Sequence, residues 1–187
     1  MFPESEASDF VPDRASLLTL NSTMLESKIK ADPWVESVEV RKVWDSGIVA
    51  VEVKERKAVL NAEVNGEREI FAADGTELPG LGGASLEQVE LDENQLEGIL
   101  RAGRVLESNG VSLESVDGAG AGGFRGTVRG RTVIFTGGLG EAQAKALPGI
   151  MSENPKARRF ELRNDGRVVV GRLQSSRKSG SESGGIG

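Results

Sequence analysis

Three glycines near the middle of the sequence have the spacing that is found in dinucleotide-binding loops. Gly118, Gly120 and Gly123 match the fingerprint in which a strand turns into a helix whose N-terminus holds a pyrophosphate. Residues 124–128 alternate between apolar and polar types, which is typical of a strand and not of a helix. We therefore favour a hairpin or loop tip over a dinucleotide site.

A second glycine cluster, residues 136–140, lies between a predicted strand and a predicted helix. Backbone amides at such a turn could meet an anion. No Gly-Lys-Ser/Thr sequence follows the cluster, and Lys145 is the nearest cation. A plain strand-to-helix turn is favoured, and an anion site is the alternative.

Carboxylates are the other abundant reactive groups. Glu39, Glu52 and Glu55 fall on the polar side of alternating strands, which favours a solvated face over an acid–base pair. The acidic stretch 87–93 lacks the Asp-x-Asp-x-Asp-Gly spacing of a calcium loop. We predict neither an acid–base pair nor a metal site from these carboxylates.

The composition narrows the chemistry further. The chain of 187 residues contains no His, Cys or Tyr, which excludes Ser-His-Asp triads, disulfides and sites built on His or thiolate ligands. The formal net charge of −6 weighs against a general nucleic-acid-binding surface. We expect no enzyme, no cofactor and no nucleic-acid partner.

The first third of the sequence predicts a small helix–hairpin module. Asn21 or Ser22 can cap a helix that runs to Lys30, and Asp32-Pro33 ends it. Two alternating strands follow around the turn 45–47, and the module ends near residue 56 or 57.

Trp34 and Trp44 are the two tryptophans of the chain. We expect both to cover the core of the helix–hairpin module. A partner-facing position is the alternative, because Trp is favoured at interfaces.

The rest of the sequence is rich in strands and contains two predicted helices. The helices are 93–108, capped by Asp92, and 141–151, which contains Pro148. Alternation and turn residues predict strands at 59–64, 68–73, 111–116, 127–129, 132–135, 160–163 and 168–170. Residues 86–91 are ambiguous. The expected fold class is α+β.

The run 32–44, DPWVESVEVRKVW, together with 48–59, IVAVEVKERKAV, closely resembles the POTRA domain of the FtsQ/DivIB family of bacterial cell-division proteins. The similar features are a Pro-Trp-Val opening, an alternating strand that ends in Trp, and a strand that ends in Glu-Arg. The signature residues are Pro33, Trp34, Val35, Arg41, Trp44, Glu55 and Arg56.

Shorter runs extend the resemblance over roughly residues 14–172. They are 71–75, 78–81 and the strand pair 160–166 and 168–171. The resemblance implies a helix–hairpin POTRA module at 11–58 and a mixed β-sheet domain with two helices at 59–173. We expect a disordered leader at 1–10 and a disordered tail at 174–187.

The sequence departs from the family pattern at several points. The family has a transmembrane helix before the POTRA domain, and this sequence does not contain it. The first POTRA strand is unclear unless residues 7–11 supply it. Lys57-Ala58 stands where the family often has Pro, and Arg172 where it often has an aromatic residue.

The resemblance implies a non-enzymatic scaffold on the extracytoplasmic side of the cell membrane. Its partners would be FtsB/FtsL-type coiled-coil proteins and other septal proteins. An open sheet edge at the C-terminal strands could capture a partner by strand addition. The residues expected to bind are Phe160, Leu162, Asn164, Asp165, Gly166, Val168, Val169, Val170 and Arg172.

Two other functions stay open. One is a POTRA module of a protein-translocation system, although no series of membrane-type strands follows it. The other is an enzyme that uses carboxylates and the glycine turn at 137–140.

Overall fold

Three helices and ten strands make up the part of the chain that the computed structural model describes, residues 18–80 and 85–171. The helices are α1 (Ser22–Lys30), α2 (Glu93–Ser108) and α3 (Glu141–Glu153). The strands are β1 (Val35–Val43), β2 (Ile48–Glu55), β3 (Ala58–Val64), β4 (Glu67–Ala72), β5 (Gln88–Leu91), β6 (Leu113–Gly120), β7 (Gly123–Val128), β8 (Arg131–Thr136), β9 (Arg159–Leu162) and β10 (Val168–Gly171). The α+β fold class is confirmed. The predictions for residues 1–11, 174–187 and Arg172 concern residues outside the described ranges.

The N-terminal module consists of α1 packed on the antiparallel β1–β2 hairpin. The side chain of Asn21 accepts a hydrogen bond from the amide of Met24 at 3.1 Å, which caps the helix as predicted. One face of the helix and one face of the hairpin are apolar. They close a small core of Leu25, Ile29, Val35 and Val40.

A three-stranded sheet of order β4-β3-β5 follows directly. Strand β5 is the segment that the sequence left ambiguous, and it runs parallel to β3. Asn61 is buried in β3, where its side chain donates to the carbonyl of Leu86 and accepts from Arg68 Nε. These bonds satisfy a polar group that would be costly to bury alone.

The strands that follow form a five-stranded sheet of order β10-β9-β8-β7-β6. Its strands pair antiparallel except for β8 and β9, which are parallel because α3 crosses over between them. Helices α2 and α3 help to bury the main core, in which the rings of Phe124 and Phe135 stack at 4.4 Å.

The Gly118–Gly123 tract is the tip of the β6–β7 hairpin, so the structure supports the hairpin interpretation over the dinucleotide fingerprint. Gly123 has a φ of +136°, and a Cβ there would lie 1.8 Å from the carbonyl oxygen of Phe135. The glycine at this position is needed for the close pairing of β7 with β8.

Candidate partner-binding edge and the joint between modules

The last described hairpin joins β9 to β10 through a tight turn at residues 163–167. Val169 lies opposite Glu161, and Val170 lies opposite Phe160. The amide of Arg163 donates to the carbonyl of Arg167 at 2.9 Å, and Gly166 adopts a φ of +80°. The predicted hairpin is confirmed.

Among the described residues, β10 pairs with β9 alone and forms one margin of the sheet. In an antiparallel ladder, hydrogen-bonded residue pairs alternate with non-bonded pairs. Because Arg163 bonds to Arg167, the next bonded pair is Glu161 with Val169. The N–H and C=O groups of Val168 and Val170 therefore point away from β9, toward the open edge.

The side chains of the hairpin divide between its two faces. Val168 and Val170 pack against the main core, whereas Val169 is 39% exposed on the opposite face. Phe160 and Leu162 are 0% and 2% exposed, so they anchor β9 from the core side and present no surface to a partner. The sequence could not separate anchors from edge residues, because both lie in the same alternating run.

The turn residues of this hairpin are exposed. Asp165 accepts a hydrogen bond from the amide of Arg167 at 3.1 Å. The side chain of Asn164 lies against Gly137, where an added Cβ would meet its Oδ1 at 1.9 Å. Polar turn residues and Arg163, which pairs with Glu161 at 2.8 Å, therefore flank the open edge at one end.

Two amides of the glycine turn at 136–140 donate hydrogen bonds within the protein. Gly137 N donates to the carbonyl of Gly122 at 3.2 Å, and Gly140 N donates to the side chain of Gln143 at 3.3 Å. Asn164 covers Gly137. The structure thus supports the plain turn over the anion site.

The carboxylates on the hairpin face of the N-terminal module are paired with a cation. Arg41 lies 3.3 Å from Glu39 and 2.8 Å from Glu52, and all three side chains are more than half exposed. Such pairs are typical of a solvated face. Within 18–80 and 85–171, no group of three or more acidic side chains is arranged to hold a metal ion.

Arg56 forms a joint between the N-terminal module and the sheets that follow it. Its Nε donates to Asp74 Oδ2 at 2.7 Å, and its Nη1 donates to the carbonyls of Pro33 and Val35. Two residues, 56 and 57, separate β2 from β3. The resemblance included Arg56 as a signature residue, but nothing in the sequence identified Asp74 as its partner.

Asp74 is held in its charged form at this joint. Partial burial alone would raise the pKa of the Asp74 carboxyl, but hydrogen bonds from Arg56 and Thr76 outweigh that effect and the net pKa lies below the usual value. Nearby, the hydrogen bond to Glu36 and the charge of Glu36 raise the pKa of the exposed Lys54 ammonium group. Both pairs border a cleft of about 840 Å³ between β2 and the end of α2.

The structure corrects the expectation for both tryptophans. Trp34 packs on Ile70 and Ala72 of β4 and on Leu78, which follows β4, and its Nε1 donates to the carbonyl of Pro79 at 3.2 Å. It therefore belongs to the joint and not to the core of the helix–hairpin module.

Trp44 is 58% exposed at the end of the β1–β2 hairpin and does not cover a core either. Lys42 Nζ lies 5.6 Å from the centroid of its ring. The hairpin extends past α1, so the helix does not cover this ring. The alternating pattern of the strands alone does not reveal how far the hairpin extends past the helix.

None of the three described helices has the length and apolar character to cross a lipid bilayer. Of the remaining signature residues, Val35 lies in the core of the N-terminal module, Pro33 presents its carbonyl to Arg56, and Glu55 is exposed at the end of β2.

Residues 6–56 match the family model of the FtsQ-type POTRA domain. This match covers the N-terminal module and supports an FtsQ/DivIB-like assignment, as the sequence resemblance implied. No curated protein matches the chain.

Proposed function

We propose, on the premise that residues 6–56 are an FtsQ-type POTRA domain, that this chain is a non-catalytic scaffold that captures a division protein by strand addition at β10. A POTRA domain of this type suggests a cell-division scaffold role. In this proposal the partners are FtsB/FtsL-type coiled-coil proteins, and the protein acts at the septum.

The observation that carries the proposal is the open edge of β10. Val168 and Val170 direct backbone donors and acceptors away from β9, and among the described residues no other strand pairs with them. An extended partner segment can continue the ladder there, and backbone bonds supply affinity while alternate side chains supply specificity. Val169, exposed on the outer face, can contact such a segment.

The domain division belongs to the same proposal. Residues 11–58 would form the POTRA module and 59–173 the β domain, because separate apolar clusters lie on the two sides of the short link at 56–57. FtsQ-type POTRA domains are extracytoplasmic parts of membrane division proteins. We therefore place this chain on that side of the cell membrane.

Val170→Pro tests the edge directly, because it removes an outward N–H group. We expect the binding of a soluble FtsB/FtsL-type segment to fall at least about tenfold, since a backbone bond is lost and the ring obstructs the ladder. Val170→Ala is the matched control, because it keeps the N–H and removes apolar atoms. It should bind nearly as the parent does in the same calorimetric titration.

Val169→Pro acts on the edge of β10 that pairs with β9. It removes the bond to Glu161, so we expect it to abolish capture by detaching β10 while the N-terminal module stays folded. Circular dichroism and amide exchange would verify the remaining fold. Unchanged binding by Val170→Pro in a folded protein would contradict strand addition at this edge.

A further inference from the structure

Three large apolar side chains are exposed at the tip of the β1–β2 hairpin. Val43, Trp44 and Ile48 are 41%, 58% and 56% exposed. Val43 and Ile48 are directly opposed on the outer face of the hairpin. We name Val43, Trp44 and Ile48 the apolar tip. Large apolar side chains exposed at one end of a hairpin are a candidate interaction surface.

The geometry of the N-terminal module explains why α1 does not cover the apolar tip. Helix α1 has nine residues and covers about 13 Å, whereas the nine residues of β1 extend about 30 Å. The short link at 31–34 sets the start of β1 beside the end of α1, so the far end of the hairpin protrudes past the helix. Met24, which is 57% exposed, lies in the helical turn nearest that end.

The shape of the tip favours a lipid surface over a protein partner. A specific protein interface buries about 800 Å² on each side. Three side chains on a protruding turn are too few and too convex to supply that area alone. A lipid interface, in contrast, accepts a small wedge, and Trp is favoured at the level of the headgroups.

The charges around the tip fit the phosphate layer of a membrane. Lys42 lies over the ring of Trp44 and forms no ion pair within the described residues. Its ammonium group can reach a lipid phosphate while the ring enters the interface. The turn also contains Asp45, and the chain has a net charge of −6, so a strongly anionic surface would repel the protein.

We propose that the apolar tip docks on the lipid interface, with Trp44, Ile48 and Val43 among the headgroups of zwitterionic lipid and Lys42 on a phosphate. The proposal rests on the membrane location given under the proposed function, but it needs no partner strand at β10. It would fix the orientation of the N-terminal module against the bilayer.

The test uses the full chain in a Trp34→Phe background, in which Trp44 is the sole tryptophan. Acrylamide should first quench Trp44 efficiently, which verifies that the ring is open to solvent. Adding millimolar phosphatidylcholine vesicles should then shift its emission to shorter wavelength, and lipid brominated near the headgroup should quench it. The matched Trp44→Phe protein, which retains Trp34, should show neither change.

Removing the apolar side chains tests the same contact without fluorescence. The double variant Val43→Ser with Ile48→Ser should lower co-sedimentation with the vesicles about tenfold, because two buried apolar side chains are lost. Val169→Ser, which removes an exposed apolar side chain elsewhere, should leave co-sedimentation unchanged.

Several results would overturn the proposal. These are a Trp44 shielded from acrylamide in the free protein, an emission that vesicles do not change, or an emission shift that follows protein concentration without lipid. The last result would assign the tip to contact with a second copy. The tip variant should retain partner capture and Val170→Pro should retain vesicle binding, so failure at one surface is separable from failure at the other.

Discussion

Arg56 and Asp74 are 18 residues apart, and their side chains meet at 2.7 Å where the two modules join. The side chain of Arg56 is 17% exposed and that of Asp74 is 33% exposed, so solvent screens the pair less than the surface pairs on β1. Arg56 also holds the carbonyls of Pro33 and Val35. One guanidinium therefore ties the start of β1 to the turn after β4.

Arg56→Ala should destabilise the chain by about 1–3 kcal/mol, because it removes charge-assisted hydrogen bonds and leaves Asp74 without its cation. Urea unfolding followed by circular dichroism measures this loss. Arg41→Ala is the control, since its ion pairs are exposed and should contribute less than about 1 kcal/mol. Equal losses in the two variants would argue against a special role of Arg56.

The pKa of Asp74 gives the joint a defined response to acid. Because the folded-state pKa is lowered, the stabilisation is present above the unfolded-state value of about 3.9 and is lost as the pH falls through the folded-state pKa. Asp74→Asn should therefore be less stable than the parent at pH 7. The difference should shrink steadily below about pH 4. Unfolding curves from pH 7 to pH 2 check this, and a constant difference would contradict it.

Replacing each of two glycines on α2 by alanine should change the stability of the protein in opposite directions. Gly98 is exposed in the helix interior, and a Cβ there meets nothing within 4 Å. Gly98→Ala should stabilise the protein by up to about 1 kcal/mol, because Ala favours the helix. Thermal unfolding should show a midpoint higher by a few degrees, and a lower midpoint would indicate an unseen contact at this position.

Gly103 is buried where the same helix crosses the chain near Ala73. A Cβ at Gly103 would lie 2.4 Å from the carbonyl oxygen of Ala73, which is backbone and cannot rotate away. Gly103→Ala should destabilise the protein by about 1–3 kcal/mol, since the helix must move outward. An unchanged midpoint of thermal unfolding would mean that α2 packs less closely on Ala73 than the structure shows.

The two tryptophans should differ in their contribution to stability. Trp34→Ala removes the contact with Ile70, Ala72 and Leu78 and the bond to Pro79, and we expect a loss of about 2–3 kcal/mol. Trp44→Ala removes an exposed ring and should change the free energy of unfolding by less than about 0.5 kcal/mol. Urea unfolding of both variants checks the difference. A large loss for Trp44→Ala would mean that the tip has a structural role.

Local patterns in the sequence predicted most of the elements. Asp92 caps α2 and shares a capping box with Gln95, so the start of that helix follows from adjacent residues. The hairpins around Asn65, Gly130 and Gly166 follow from turn residues that tolerate a positive φ. These features depend on neighbours in the chain, which is why they can be inferred without the fold.

Relationships between distant segments could not be predicted. Strand β5 has four residues, and its place beside β3 is set by parallel pairing across a long connection. The position of Trp34 depends on contacts with residues 70–79, and that of Trp44 on the lengths of α1 and β1. At the candidate edge, the direction of each N–H depends on the register of β10 with β9, which one residue of slip would reverse.

The short link at 56–57 lies between the two surfaces that we propose for the membrane and for the partner, the apolar tip and the edge of β10. Arg56 is bonded on both sides of this link, to Pro33 and to Asp74, so it restrains rotation of the N-terminal module against the sheets that follow. Under the proposed function, the molecule would act as a spacer that sets how far above the bilayer a captured division protein is held. Shortening or loosening this spacer would change that height without altering either contact surface.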